Sequence, residues 1–289
     1  MRSIRRLMAA YGTRRGWVLL FQNSSVAFAA LAGTIQLFLT VRPTPELQGG
    51  STLAGVALLS LAWGVVFSAP RTSVSRSFTH PSFTVTVKEG DLFDEEGGLV
   101  VGFTDVFDTS VEGGDIISPR SVQAQFMRNV YADDEPLLSR DLAVALSNVP
   151  VRKVEDPTDK PRGKRERYPV GTVAVLGRDG RKYYCVAYST MTNDLIAKSS
   201  VDQLWNSLNE LWSAVASNGH REAISMPVLG SDLARVNSLD RESLAKMIIL
   251  SCVSKSRQEP LAESITLVIP PKDMEEIDMN EMSAFINSL

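Results

Sequence analysis

The chain has 289 residues, enough for about two domains, and a net charge of −3 that hides a split. Residues 1–76 carry eight arginines against one acid, Glu46, for a net of +7, while the remainder carries 22 basic and 32 acidic residues, a net of −10. An acidic main body excludes the basic footprint of a nucleic-acid binder, and two Cys with two His leave no plausible spacing for a structural zinc site and no disulfide framework.

In chain order, a basic N-terminus (residues 1–16) is followed by two uncharged runs, Trp17–Val41 and Ser51–Ala69. A bilayer core is crossed by about 20 apolar residues in a helix, so each run is long enough to span it. Residues 17–70 therefore read as a transmembrane hairpin with spans 17–41 and 51–69. The segment Arg42–Gly50, with Pro43, Pro45, Gly49 and Gly50, reads as its tight turn. Gln22, Asn23, Ser24 and Ser25 interrupt the first span; polar groups in lipid usually face another helix or water. Gly33 and Gly55 are expected to permit close helix approach. Five arginines precede the first span, Arg71 and Arg76 follow the second, and only Arg42 lies between, which places both ends in the cytoplasm. A cleaved signal peptide and a pair of buried core helices are the competing readings.

Residues 71–80 read as a linker and 81–289 as one α/β domain. Phe83, Val85 and Val87 alternate with small polar residues as in a half-buried strand, and Leu99–Phe103 is a short apolar strand. Gly171–Gly177 and Lys182–Thr190 flank the hairpin turn Arg178-Asp179-Gly180. Ala223–Leu229 and Ile265–Ile269 are two further buried strands. Helical spacing marks 118–131, 137–147, 201–217 and 244–253, and a last helix is expected around 277–286. Strands alternating with helices give a mixed sheet with helices on both faces. Cys185 and Cys252 fall in apolar runs and read as buried reduced thiols. The charged stretch Val151–Tyr168 reads as a solvated loop or as an insertion that touches a ligand or partner.

Ligands of open α/β sheets bind beyond the carboxyl ends of the strands. Those ends carry Asp91, Leu92 and Phe93; then Thr104, Asp105, Phe107, Asp108 and Thr109; then Ser118 and Ser121. Further on come Thr190 and Met191, then Gly230, Ser231, Asp232, Leu233 and Arg235. The rim suits a nucleotide. A Gly-Ser loop offers backbone N–H groups to a diphosphate, Arg235 adds charge, Asp91 can accept from an adenine amino group, and Phe93 or Phe107 can stack on a ring. No GxGxxG follows a strand and no GxxxxGK[ST] occurs, so the dinucleotide-binding and P-loop patterns do not fit. His80 and His220 lie outside these ends, and no catalytic residue or metal ligand set is expected.

The strand ending in Gly90-Asp91-Leu92, the polar loop after the next strand, and the segment from Ala223 to Gly230-Ser231 resemble a macro domain, the ADP-ribose-binding fold. More narrowly, Phe107-Asp108-Thr109, the run Ile117–Ser121 with Gln125-Phe126, and Tyr168–Thr172 resemble the macro domains of Thoeris anti-phage effectors. Two spans before such a domain match the type II effectors. The resemblance implies a protein of the bacterial inner membrane with no cofactor. Its ligand would be an ADP-ribose-type messenger, a histidine conjugate of ADP-ribose made from NAD by a TIR-domain partner. Activation would proceed by homo-oligomerisation and disruption of membrane lipid, ending in abortive infection. The segment after the second strand lacks the asparagines and triple glycine of the hydrolases of this fold, and Asp232 replaces the usual second glycine of the diphosphate loop. These departures favour a sensor over the alternative, a membrane-tethered hydrolase of ADP-ribose adducts; a membrane scaffold with a vestigial pocket is the third reading.

Overall fold

A computed structural model describes residues 14–41, 49–68, 71–231, 236 and 238–289. The chain forms two compact units, Met1–Arg71 and Thr72–Leu289. The basic residues 1–13 and the turn at 42–48 lie outside the described residues.

The first unit holds α1 (Arg14–Val41) and α2 (Gly50–Phe67), both long and apolar enough to cross a membrane. They pack along small residues. Val56, Ser60 and Gly64 are the buried positions of α2, spaced four apart on one face. A Cβ at Gly64 would collide with the Ser24 hydroxyl, so this glycine sets the helix approach. That corrects the expectation for Gly33 and Gly55, which have nothing within 4 Å of a built Cβ. Asn23 donates from Nδ2 to the Ser68 hydroxyl at 3.2 Å, so part of the polar face of α1 is satisfied inside the hairpin, while Gln22 and Ser25 stay exposed.

The second unit contains β1 (Ser73–Thr79), β2 (Ser82–Glu89), β3 (Gly98–Thr104), α3 (Val122–Tyr131), α4 (Glu135–Leu146), β4 (Lys153–Val154) and β5 (Glu166–Arg167). It continues with β6 (Val173–Arg178), β7 (Arg181–Met191), β8 (Ala197–Lys198), α5 (Val201–Asn218), β9 (Ile224–Pro227), α6 (Arg241–Ser256), β10 (Ser264–Ile269) and α7 (Met279–Ser288). The sheet runs β1-β2-β10-β9-β3-β7-β6, with β8 on the end of β7. From β2 to β7 neighbouring strands are parallel; β1 and β6 close the edges antiparallel. Period-two alternation assigns the two faces. Val100, Tyr184, Val186, Ile224 and Leu267 pack under α5, α6 and α7, whereas Leu99, Val101, Phe103, Cys185 and Ala187 pack under α3 and α4. Both cysteines are free and fully buried, and burial pushes both thiols up.

Local chemistry explains the element ends. Ser200 and Gln203 form a capping box at the start of α5, and Asp240 caps α6 through the Ser243 N–H at 2.7 Å. Asp179 (φ +52°) and Gly180 (φ +76°) make the tight β6–β7 turn.

Two expectations fail. The span read as the linker 71–80 contains β1, which pairs with β2 from Ser73↔Lys88 to Thr79↔Ser82. Its outward Ser, Arg and Thr side chains hide an inward Val74, a common disguise of an edge strand. Arg76, counted above with the membrane-flanking charges, donates to the Ile286 carbonyl at 2.7 Å and lies over the Phe78 ring. The stretch 151–168 is not a solvated loop either. It carries the β4–β5 ribbon, and Glu155 and Lys160 are buried within it.

Candidate functional site

A cleft of about 320 Å³ opens at the carboxyl ends of β3, β7 and β9. Its walls come from Thr104 at the end of β3 and Asp108 after it, residues 114–118 and 121–123 before and at the start of α3, and Tyr188, Ser189, Met191 and residues 195–197 at and after the end of β7. Pro227–Gly230 after β9 completes it. Of the residues singled out from the sequence, Thr104, Asp108, Ser118, Ser121, Met191 and Gly230 line this space.

The remaining candidates take other places. Asp91 is exposed and caps a 3-10 turn, its Oδ1 accepting the Phe93 N–H at 2.9 Å. Leu92 is buried in the core beneath β3, so its side chain cannot reach a ligand, and Phe93 packs beside it half-buried. Phe107, expected as a stacking ring, is instead a core residue: it stacks on Phe103 at 5.5 Å and meets Tyr168 edge-on at 5.7 Å. Its φ of +48° is strained for a bulky residue and turns the ring inward. Asp105 is fully engaged, accepting from Arg167 Nη1 at 2.7 Å and from the Met191 N–H at 2.8 Å. Thr109 donates to Glu135 at 3.0 Å and lines a neighbouring cavity. Thr190 accepts from Gln203 at 3.4 Å. Ser231 donates to the Val228 carbonyl at 2.8 Å. Asp232, Leu233 and Arg235 lie outside the described residues.

The two sides of the cleft differ in construction. On the β3 side, Arg167 joins Asp105 to Glu155 (2.5 Å) and Asn193 (3.0 Å). Hydrogen bonds from Lys153 and Arg167 hold Glu155 below the usual carboxylate range. Asp108 Oδ1 accepts the Lys164 N–H at 2.5 Å, and the buried Lys160 ammonium stands 3.6 Å from Oδ2. Asp108 Oδ2 itself is buried without a hydrogen bond. Burial pushes the Asp108 carboxyl up, against the pull of the Lys164 N–H and the Lys160 charge, and the same burial pushes Lys160 down. On the β9 side the wall is backbone and small side chains. Gly230 sits at φ +83°, and a Cβ there would stand 3.2 Å from both Leu204 and Val236. This position demands glycine for its dihedral, and a Cβ there would press on the core residues Leu204 and Val236.

A second cavity of about 480 Å³ lies beyond Asp108 and Ile116, which line both spaces. Glu135, Arg162 and Lys164 give it charges of both signs. Among the described residues no group of three His, Cys, Asp or Glu side chains could hold a metal ion.

Residues 85–270, well over half of the chain, match the family described as "Thoeris protein ThsA, Macro domain". The chain belongs to this family. The Oceanobacillus iheyensis macrodomain with ADP is 11% identical, covers 76% of this chain and 100% of its own, and superposes with a TM-score of 0.49. The N30A mutant of that macrodomain is 12% identical, covers 76% of this chain and 97% of its own, and gives 0.50. At 12% identity this second likeness speaks for the fold alone. No curated protein sequence matches the chain.

In this ThsA-type macro domain, several cleft residues escaped sequence reasoning. Tyr188 and Gln123 line the space, yet each sits in a segment whose pattern reads as plain strand or helix, and Ile116 lines it from just before the run Ile117–Ser121. Leu195 and Ile196 also reach it from a turn in which Leu195 has φ +61°. Lys160, Lys164 and Arg167 hold the cleft wall from the charged stretch, where dense charge reads as solvation.

Proposed function

We propose that this chain is a membrane-bound effector of bacterial anti-phage defence whose macro domain binds an ADP-ribose-derived messenger. The observation that carries the reading is a ligand-sized cleft at the parallel strand ends of a ThsA-type macro domain, on a chain that also holds two helices of membrane-spanning length. In this reading the Val228–Ser231 turn receives the diphosphate on its backbone N–H groups, since Val228, Leu229 and Gly230 line the cleft. Asp91 keeps one carboxylate oxygen beyond its cap bond to accept from an adenine amino group. The cavity beyond Asp108, with charges of both signs, gives room for a group carried by the ribose, and a histidine conjugate made by a TIR-domain partner is the messenger we favour.

The hairpin sits in the inner membrane with both ends inside, as the arginine distribution demands. An acidic domain has no electrostatic reason to lie on an anionic leaflet. Binding must then act through how domains meet one another, since a ligand shifts only states for which its affinity differs. Ligand-driven homo-oligomerisation would cluster the hairpins and disrupt the bilayer, killing the infected cell. The test is calorimetric titration of the full chain in detergent with ADP-ribose and its histidine conjugate, together with light scattering. Saturable binding and a ligand-dependent rise in mass are expected. Absence of binding to either compound overturns the ligand assignment, and toxicity retained after deletion of residues 1–70 removes the membrane from the mechanism.

One observation favours a second reading, a membrane-tethered hydrolase of ADP-ribose adducts. Asp108 presents a buried oxygen with no hydrogen bond on the cleft wall, and its carboxyl is shifted up by burial, as suits a general base. Release of free ADP-ribose from a conjugate by the purified chain, lost in Asp108→Asn, would establish it.

A further inference from the structure

We infer that Arg241 is the positioning residue of the Val228–Ser231 turn and acts through the Ser231 hydroxyl. The inference rests on the reading of that turn as the diphosphate site. Arg241 is the first residue of α6, where the helix dipole disfavours a cation, and it is only 8% exposed. Something other than solvation or helix electrostatics must account for an arginine there. Its contacts supply it. Nε donates to Glu276 at 3.0 Å, and Nη1 lies 3.3 Å from Asp273 and donates to the Ser231 hydroxyl at 2.9 Å. The two carboxylates come from the turn that follows β10, so the guanidinium bridges two strand-end turns, after β9 and after β10.

The Ser231 hydroxyl spends its one proton on the Val228 carbonyl and accepts from Arg241, which closes the turn around Gly230. A planar guanidinium with two of its directions fixed by carboxylates offers the third in a fixed orientation, which a lysine ammonium cannot reproduce. Arg241 thus holds the turn in the open, left-handed geometry at Gly230 before any ligand arrives, and a preorganised turn avoids the ordering cost of binding. It stands behind the turn and does not line the cleft, so it touches no ligand itself.

The test uses the full chain in detergent with Arg241→Lys, Ser231→Ala and the double variant. Arg241→Lys keeps the charge opposite Asp273 and so protects the fold while removing the fork. Two readouts are needed. In the ligand-free protein, hydrogen exchange of a peptide covering 227–231 should quicken in Arg241→Lys and in Ser231→Ala, with the rest of the sheet unchanged. In titrations, each single variant should bind ADP-ribose about tenfold more weakly, the double variant no worse than either, and adenosine, which lacks the diphosphate, should bind as before. Additive losses, equal losses for adenosine, or a Lys variant identical to the parent would overturn the inference. If the parent binds no ADP-ribose, the ligand assignment falls, and the exchange measurement alone then decides whether Arg241 holds the turn.

Discussion

The cleft side at Asp108 is lined by a carboxylate held among charges; the side at Val228–Gly230 is lined by backbone and small side chains, with Arg241 bonded to the Ser231 hydroxyl next to it. On the first, Arg167 satisfies two carboxylates at once and Asp108 is pinned to the Lys164 N–H. On the second, Gly230 adopts φ +83° between Leu204 and Val236. The charged wall places a buried acid, Asp108, at the cleft, and the other side places backbone and a glycine there. In the proposed function the first would read the variable part of the messenger and the second would receive its diphosphate.

The comparison can be broken from the charged side first. Arg167→Ala removes the cation that Asp105 and Glu155 share and leaves Glu155 with Lys153 alone, so the folded state should lose stability. Denaturant unfolding should show that loss; a change below about 1 kcal/mol would mean the wall is solvated in solution. On the glycine side, Gly230→Val forces a β-branched residue into left-handed backbone at a cost of about 1–3 kcal/mol and presses it against Leu204 and Val236 of the core, so the turn must shift. ADP-ribose binding should be lost together with a fall in melting temperature. A large fall in melting with affinity preserved would make Gly230 a packing residue instead.

Asp91→Ala sharpens the contrast, because Asp91 is an exposed charge outside both walls. Its loss should lower ADP-ribose affinity about tenfold and leave the sheet intact. Unchanged affinity would remove it from the adenine site. The smallest effect concerns pH. Glu155 is held below its unfolded value by Lys153 and Arg167, so its stabilising contribution is present above the unfolded pKa of 4.5 and is lost as pH falls through the folded value. Glu155→Gln should therefore flatten the loss of stability on acidification below about pH 4.5, measured as unfolding midpoint against pH. A variant with the parent's slope would show that Glu155 is not ion-paired in solution.

Much of this molecule was legible in its residues. The two uncharged runs announced α1 and α2, since each is long and apolar enough to cross a bilayer as a helix. Alternation announced β2, a short apolar run announced β3, and the Arg178-Asp179-Gly180 turn announced the β6–β7 hairpin. These signals are local: each needs only neighbours a few positions away. The edge strand β1 escaped because its outward face is polar, and the Gly64 contact escaped because a glycine in an apolar helix carries no mark of what it faces.

The charged wall was decided by tertiary structure alone. Arg167 and Asp105 stand 62 positions apart and Lys164 and Asp108 stand 56 apart; on the other side Arg241 and Glu276 stand 35 apart. Nothing in the spacing of such residues records a partner, and a dense run of Lys, Arg, Asp and Glu reads by default as solvated. Whether a charge stays in water or enters the protein depends on whether folding delivers an opposite charge and hydrogen bonds at the right distance, because desolvation without them costs several kcal/mol. Phe107 follows the same logic: the sequence marks an aromatic at a strand end, and only the backbone turn at φ +48° determines that its ring faces the core and not the cleft.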